Sequence, residues 1–157
     1  MAQQDIYNGN YLKNDSQLHF PYLYHFTDER NVQSILKYGL LSWYQLDCLN
    51  LPYHPGSNSL SRNLDSRKNL QDYVRLCLNT SHPMMWFCLY QGRIGRVKWL
   101  KISPVVWTFP NNLFSDTNAA SNSAKINSKP KTVLKHGDNQ AEVLVKSRIE
   151  PRYISLM

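Results

Sequence analysis

A chain of 157 residues, 42% hydrophobic and 18% charged, is long enough for one domain with a single buried core and too apolar for a disordered polypeptide. No apolar run approaches the roughly 18 to 20 residues that span a bilayer, which excludes a membrane-spanning helix. Lys and Arg number 18 against 11 Asp and Glu, and the resulting net charge of +7 favours encounter with polyanions such as nucleic acid.

The first segment, "MAQQDIYNGNYLKNDSQ", is polar and lacks the apolar region of a secretory signal, so cytoplasmic residence is expected. "PYLYHFT" (21–27) then reads as an aromatic-rich strand. In "DERNVQSILKYG", Val32, Ile35 and Leu36 recur at helical spacing, with Thr27 or Asp28 as N-cap and Gly39 as terminator. Residues 49–69 are rich in Pro, Asn and Ser and read as a long irregular loop, a class that commonly carries function. "LQDYVRLCLN" fits a helix or a strand. "MMWFCLY", "RVKWLKIS" and "VVWTF" read as strands, and "NAASNSAKINSKPKTVLKHGDN" as a second polar loop. "QAEVLVKS" closes the series as a final buried strand. Short strands with helices clustered early predict an α+β fold in one domain, 1–157, whose working surface lies on the two long loops.

Candidate chemical groups are few. Cys48, Cys77 and Cys88 form no C-x-x-C pair, and His19, His25, His54, His82 and His136 show no metal-ligand spacing, so no metal is expected. His25 and Thr27 stand where a strand meets a helix start, whose free N–H groups suit anions, although capping and packing alone would also account for them. Arg62 and Arg67 lie in the Asn/Ser-rich loop and have the fork geometry that grips a pyrophosphate. Glu142 is the sharpest feature: strand alternation places Gln140, Glu142 and Leu144 on one face, and an acid on a largely apolar strand needs a partner or a task.

Four blocks in order resemble a known family. "YHFT" with "NVQSILKYGLLS", "DYVRLCLNTSHPMMW", "FSDTNAAS" and "NQAEVLV" followed by "IEPRYI" are similar to the DarT family, toxins that ADP-ribosylate bases in single-stranded DNA. The blocks run from about residue 22 to 154 and cover nearly the whole chain. Arg75-Leu76 stands where the family usually carries Pro-Phe, and Thr80-Ser81-His82 where it carries a Pro-Arg-Ser type sequence.

The resemblance implies an ADP-ribosyltransferase fold, a mixed α+β core with two small packed β-sheets clasping NAD. It assigns His25, Phe26, Thr27 and Ser34 to the cofactor, together with Arg62 (or Arg67 in its place) as the pyrophosphate arginine. Glu142 falls on the catalytic glutamate, with Arg62 as its catalytic companion. Gln140 and Asn118 would face the acceptor base, and Lys125 and Lys129 would track the acceptor backbone. NAD is the implied co-substrate and single-stranded DNA the implied acceptor, with guanine favoured over thymine. An antitoxin with an ADP-ribosyl-hydrolysing macrodomain is the implied partner. An ADP-ribosyltransferase of RNA or protein, or a non-catalytic NAD- or nucleic-acid-binding module on the same fold, are the alternatives.

Overall fold

A computed structural model describes residues 21–157; the polar leader and His19 lie outside them. The described residues open with β1 (Leu23–Asp28), a 3-10 turn (Glu29–Asn31) and α1 (Val32–Tyr38). Asp28 caps the turn by accepting the Arg30 backbone N–H at 2.9 Å; the Thr27 hydroxyl instead accepts from the Asn31 side chain at 3.1 Å. Next come β2 (Leu40–Leu41), α2 (Trp43–Cys48) and α3 (Ser59–Arg67), then β3 (Tyr73–Cys77), α4 (Pro83–Tyr90) and β4 (Val97–Ile102). A 3-10 turn (Pro104–Thr108) leads to β5 (Leu113–Ser115), β6 (Ile126–Asn127), α5 (Pro130–Leu134), β7 (Glu142–Lys146), β8 (Arg148–Ile149) and β9 (Ile154–Leu156).

Among the described residues the strands divide between a seven-stranded sheet, ordered β6-β5-β7-β3-β1-β4-β9, and a two-stranded ladder of β2 and β8, all pairs antiparallel. The expected mixed α+β architecture is therefore present. "DYVRLC" resolves to a strand because β7 pairs along its length, Arg75 opposite Leu144 and Cys77 opposite Glu142. That register puts Arg75, Cys77, Glu142 and Leu144 on one face. Val74, Leu76, Val143 and Val145 point the other way, into a core shared with Leu23, Leu100, Ile102 and Trp107.

Five local readings are corrected. The 49–69 loop is interrupted by α3, which starts on a reciprocal cap: Ser61 N–H donates to Asn58 Oδ1 at 2.9 Å and Asn58 N–H to Ser61 Oγ at 3.0 Å. "MMWFCLY" is helical: it has no alternation, Pro83 occupies the first turn, and His82 Nδ1 accepts the Met84 N–H at 3.2 Å as N-cap. "VVWTF" follows Pro104 and coils as a 3-10 turn, with Trp107 Nε1–H donating to the Pro21 carbonyl at 2.8 Å. The polar segment after Asn118 holds β6 and α5, and β7 is followed by β8 and β9 rather than ending the series. Among the described residues no helix is long and apolar enough to cross a membrane.

Gly39 closes α1 at φ +93°, its N–H donating to Ile35 O at 2.8 Å, and a Cβ there would overlap the Ile149 carbonyl of β8. Left-handed strain alone costs about 1–3 kcal/mol. Gly39→Ala is expected to lose at least that much, read as a lowered urea midpoint with unchanged slope.

Candidate active site

The end of β1, α1, α2, the 53–57 loop, α3, β3 and Glu142 enclose one cleft. Its floor is the β3–β7 pair. Glu142, 5% exposed, is surrounded by donors: Ala119 N–H reaches Oε2 at 3.1 Å, Arg75 Nε lies 3.5 Å from the same oxygen, and His82 Nε2 lies 3.5 Å from Oε1. Because His82 Nδ1 already accepts from Met84, its ring hydrogen sits on Nε2, shared between Glu142 and the Gln140 carbonyl at 3.2 Å. Burial works to raise the Glu142 pKa, but Arg75, His82 and the Ala119 amide outweigh it and hold the carboxyl below its ordinary range. Glu142 is an anion fixed in place.

The loop that delivers the Ala119 amide is fastened from two sides. Asn118 Oδ1 accepts the Ala120 N–H at 3.0 Å, and Lys68 Nζ donates to the carbonyls of Ala119 (2.7 Å) and Ser121. On the opposite wall, Asn31 joins β1 to the 53–57 loop: its Nδ2 donates to Thr27 Oγ1 and to His54 O (2.7 Å), while its Oδ1 accepts His54 N–H (2.8 Å). His25 Nδ1–H donates to the Arg75 carbonyl at 2.9 Å, so β1 and β3 are stitched beside the glutamate.

Arg62 sits at one flank of the cleft. Its guanidinium stacks over the Trp43 ring at 5.0 Å and donates to Ser57 Oγ at 3.2 Å, bonds the Tyr53 hydroxyl and faces Asp47 at 3.5 Å. Trp43, Tyr53 and Ser57 line the cleft themselves. Arg67, at the end of α3, is exposed.

Residues 24–157 match the family described as "ssDNA thymidine ADP-ribosyltransferase, DarT". The chain belongs to the DarT family. It is 30% identical over 163 residues to the DNA ADP-ribosyl transferase-DNA ADP-ribosyl glycohydrolase fusion protein of Thermosipho africanus (strain H17ap60334), covering 87% of this chain and 42% of that protein. The chain thus spans less than half the length of that DarT relative. The fold is shared with Thermosipho africanus DarTG in complex with ADP-ribose, at a TM-score of 0.72 and 23% identity over 87% of this chain and 43% of that one. It is shared also with Thermus sp. 2.9 DarT, solved with NAD+ and with ADP-ribosylated ssDNA, at a TM-score of 0.60 and 19% identity over 87% of this chain and 83% of that one.

Of the residues the DarT resemblance singled out, His25, Phe26, Thr27, Ser34 and Glu142 line the cleft together. Gln140 departs from the strand pattern: β7 begins at Glu142, and Gln140 lies in the preceding turn, its N–H on Asp138 Oδ1 at 2.8 Å. Alternation therefore does not carry it onto the Glu142 face. Asn118, Lys125 and Lys129 do not line the cleft, and both lysines are exposed. Reading the sequence missed Arg75, Asp65, His82, Asn31 and Lys68. Arg75 and His82 stood out as departures from the family pattern, and Asp65 was hidden inside what read as loop. Among the described residues no His, Cys, Asp and Glu cluster could hold a metal ion.

Burial lowers the pKa of His25 below 6.5, against a smaller upward pull from the Arg75 carbonyl. The unfolded chain takes up a proton near pH 6.5 that the folded chain refuses, so this contribution to stability is whole above that pH and declines as pH falls toward the folded value. Melting temperatures at about pH 7.5 and about pH 5.5 should fall further in the wild type than in His25→Gln.

Proposed function

We propose that the chain transfers ADP-ribose from NAD to a nucleobase of single-stranded DNA. The observation that carries this reading is Glu142: an ionised, nearly buried carboxylate, gripped by Arg75, His82 and the Ala119 amide, in the wall of an open cleft. Leaving of nicotinamide develops positive charge at the anomeric carbon, as in glycoside cleavage. A carboxylate positioned against the ribose stabilises that cation more than the neutral ground state, and preorganisation means nothing need rearrange as the charge forms.

NAD would lie along the cleft with its nicotinamide ribose at Glu142. His25, Phe26, Thr27 and Ser34 line the same cleft, and Arg62, held against Trp43 and Ser57 at its flank, would reach the pyrophosphate. The Trp43 stack and Ser57 bond preset the Arg62 fork, which lowers the ordering cost of gripping two phosphates. The NAD+ complex of Thermus DarT supports NAD as the ligand, and the ADP-ribosylated ssDNA in the same relative supports the acceptor. The exposed Lys125 and Lys129 supply the positive charge for a strand backbone. Guanine is our preferred base, from the nearness of "FSDTNAAS" and "QAEVLVKSRIEPRYI" to guanine-modifying relatives, against the thymidine in the family description. Fusion of the Thermosipho africanus relative to a glycohydrolase supports a toxin whose partner removes the same mark.

Incubation with NAD and single-stranded oligomers, each lacking one base, should add one ADP-ribose to every oligomer except that lacking guanine. A mass gain on RNA or protein and on no DNA oligomer would overturn the acceptor reading. Glu142→Gln should cut transfer by about 100-fold or more with NAD affinity changed only slightly. Arg62→Ala should weaken NAD binding about 10- to 100-fold, the loss of a charge-assisted bond, while Arg67→Ala should leave it near the wild-type value.

A further inference from the structure

Among the described residues Glu142 is one of two buried carboxylates in the cleft. The other is Asp65, on the last turn of α3 and 4% exposed. Its Oδ2 accepts the Trp43 indole N–H at 3.2 Å, and its Oδ1 lies 3.3 Å from Arg75 Nη2. Arg75 therefore stands between the two acids, Nε toward Glu142 and Nη2 toward Asp65. Asp65 Oδ1 and Arg75 Nη2 form an ion pair but are not aligned for a hydrogen bond, and neither makes a hydrogen bond to any described residue although both atoms are buried. Folded proteins rarely leave such groups open without a ligand or a task.

We propose that Asp65 is a second catalytic carboxylate, which takes the proton from the acceptor base as that base bonds to the ribose. The proposal rests on the ADP-ribosyl transfer reading and divides its chemistry. Glu142 is surrounded by donors and held ionised, which suits it to stand against a cation and makes it a poor proton acceptor. Asp65 lies in the opposite condition. Burial raises its pKa and the negative charge of Glu142 adds to the rise, with Arg75, Trp43 and Lys68 pulling the other way, and the balance lies above the ordinary carboxylate range. Two acids driven apart by their surroundings is the pattern by which one site runs charge stabilisation and proton transfer together.

In the step itself, the acceptor nitrogen bonds to the anomeric carbon while the bond from that carbon to nicotinamide breaks. The bonding pair leaves with nicotinamide, which departs neutral. The proton displaced from the acceptor nitrogen passes to the Asp65 carboxylate, which the acceptor base must meet from the cleft that Asp65 lines, and is then released to solvent, so one proton is released per transfer. Arg75 remains charged throughout.

The test is Asp65→Asn, which keeps the shape and the Trp43 acceptor but cannot take a proton. Transfer to a single-stranded oligomer should fall by about 100-fold or more, with NAD affinity within a few-fold of the wild type. The wild-type loss of rate on acidification, through a carboxyl titrating above the ordinary range, should be missing from the residual activity. Asp65→Ala should regain part of its transfer rate on addition of formate, which supplies a carboxylate to the vacated space. Asn-variant transfer at the wild-type rate, or a loss of NAD affinity that matches the loss of transfer with no formate rescue in the alanine variant, would overturn the proposal. If the wild type modifies no oligomer, the transfer reading itself fails and this proposal fails with it; wild-type transfer beside a fully active Asn variant sinks the Asp65 role alone.

Discussion

A carboxylate placed almost out of reach of water must be surrounded by donors or give up its charge, and the arrangement around Glu142 follows from that constraint. Its first partner comes from the sheet: Arg75 lies two residues along β3 from Cys77, the residue opposite Glu142, so the two side chains meet diagonally on one face. Its second comes from the cap of α4, where His82 must accept from Met84 with one nitrogen and so offers a hydrogen from the other. Its third is a backbone amide, and a backbone amide in a loop is a reliable donor only if the loop is held. Lys68 and Asn118 do the holding.

The same economy shapes the rest of the cleft. Polar links join elements distant in sequence at the points where the wall would otherwise open. Asn31 spans from β1 to His54, and His25 spans from β1 to the Arg75 carbonyl. Trp43 serves two residues of α3, stacking on Arg62 and donating to Asp65. Asp72 gathers Ser42 and Ser147, each at 2.7 Å, and so ties the start of α2 to the end of β7. The apolar core supplies the sheet, but these side chains decide where the cleft lies on it.

The sequence was most readable where local pattern and tertiary demand agree. β1, α1, β4 and β7 show their periodicity because one face of each is buried in the shared core. α4 was misread because its apolar residues form neither stripe nor alternation, and only Pro83 with the His82 cap signals a helix start. Trp86, Phe87 and Tyr90 remain exposed on it, so composition there overstated burial. Glu142 was legible as an acid out of place. Its partners were not, because Arg75 and Asp65 are ordinary charged residues until strand register and the fold of α3 set them on either side of one guanidinium. Gln140 shows the opposite failure: alternation was extended past the strand end, where the Asp138 turn breaks it.

The central claim is that Glu142 meets the reacting sugar of NAD. A crystal structure of the chain with a non-hydrolysable NAD analogue tests it most directly. The account predicts a Glu142 carboxylate oxygen within about 2.6–3.2 Å of a hydroxyl on the nicotinamide ribose, with its contacts to Arg75, His82 and the Ala119 amide retained. A nicotinamide ribose seated elsewhere, with Glu142 still enclosed by its three donors and touching no part of the ligand, would contradict it.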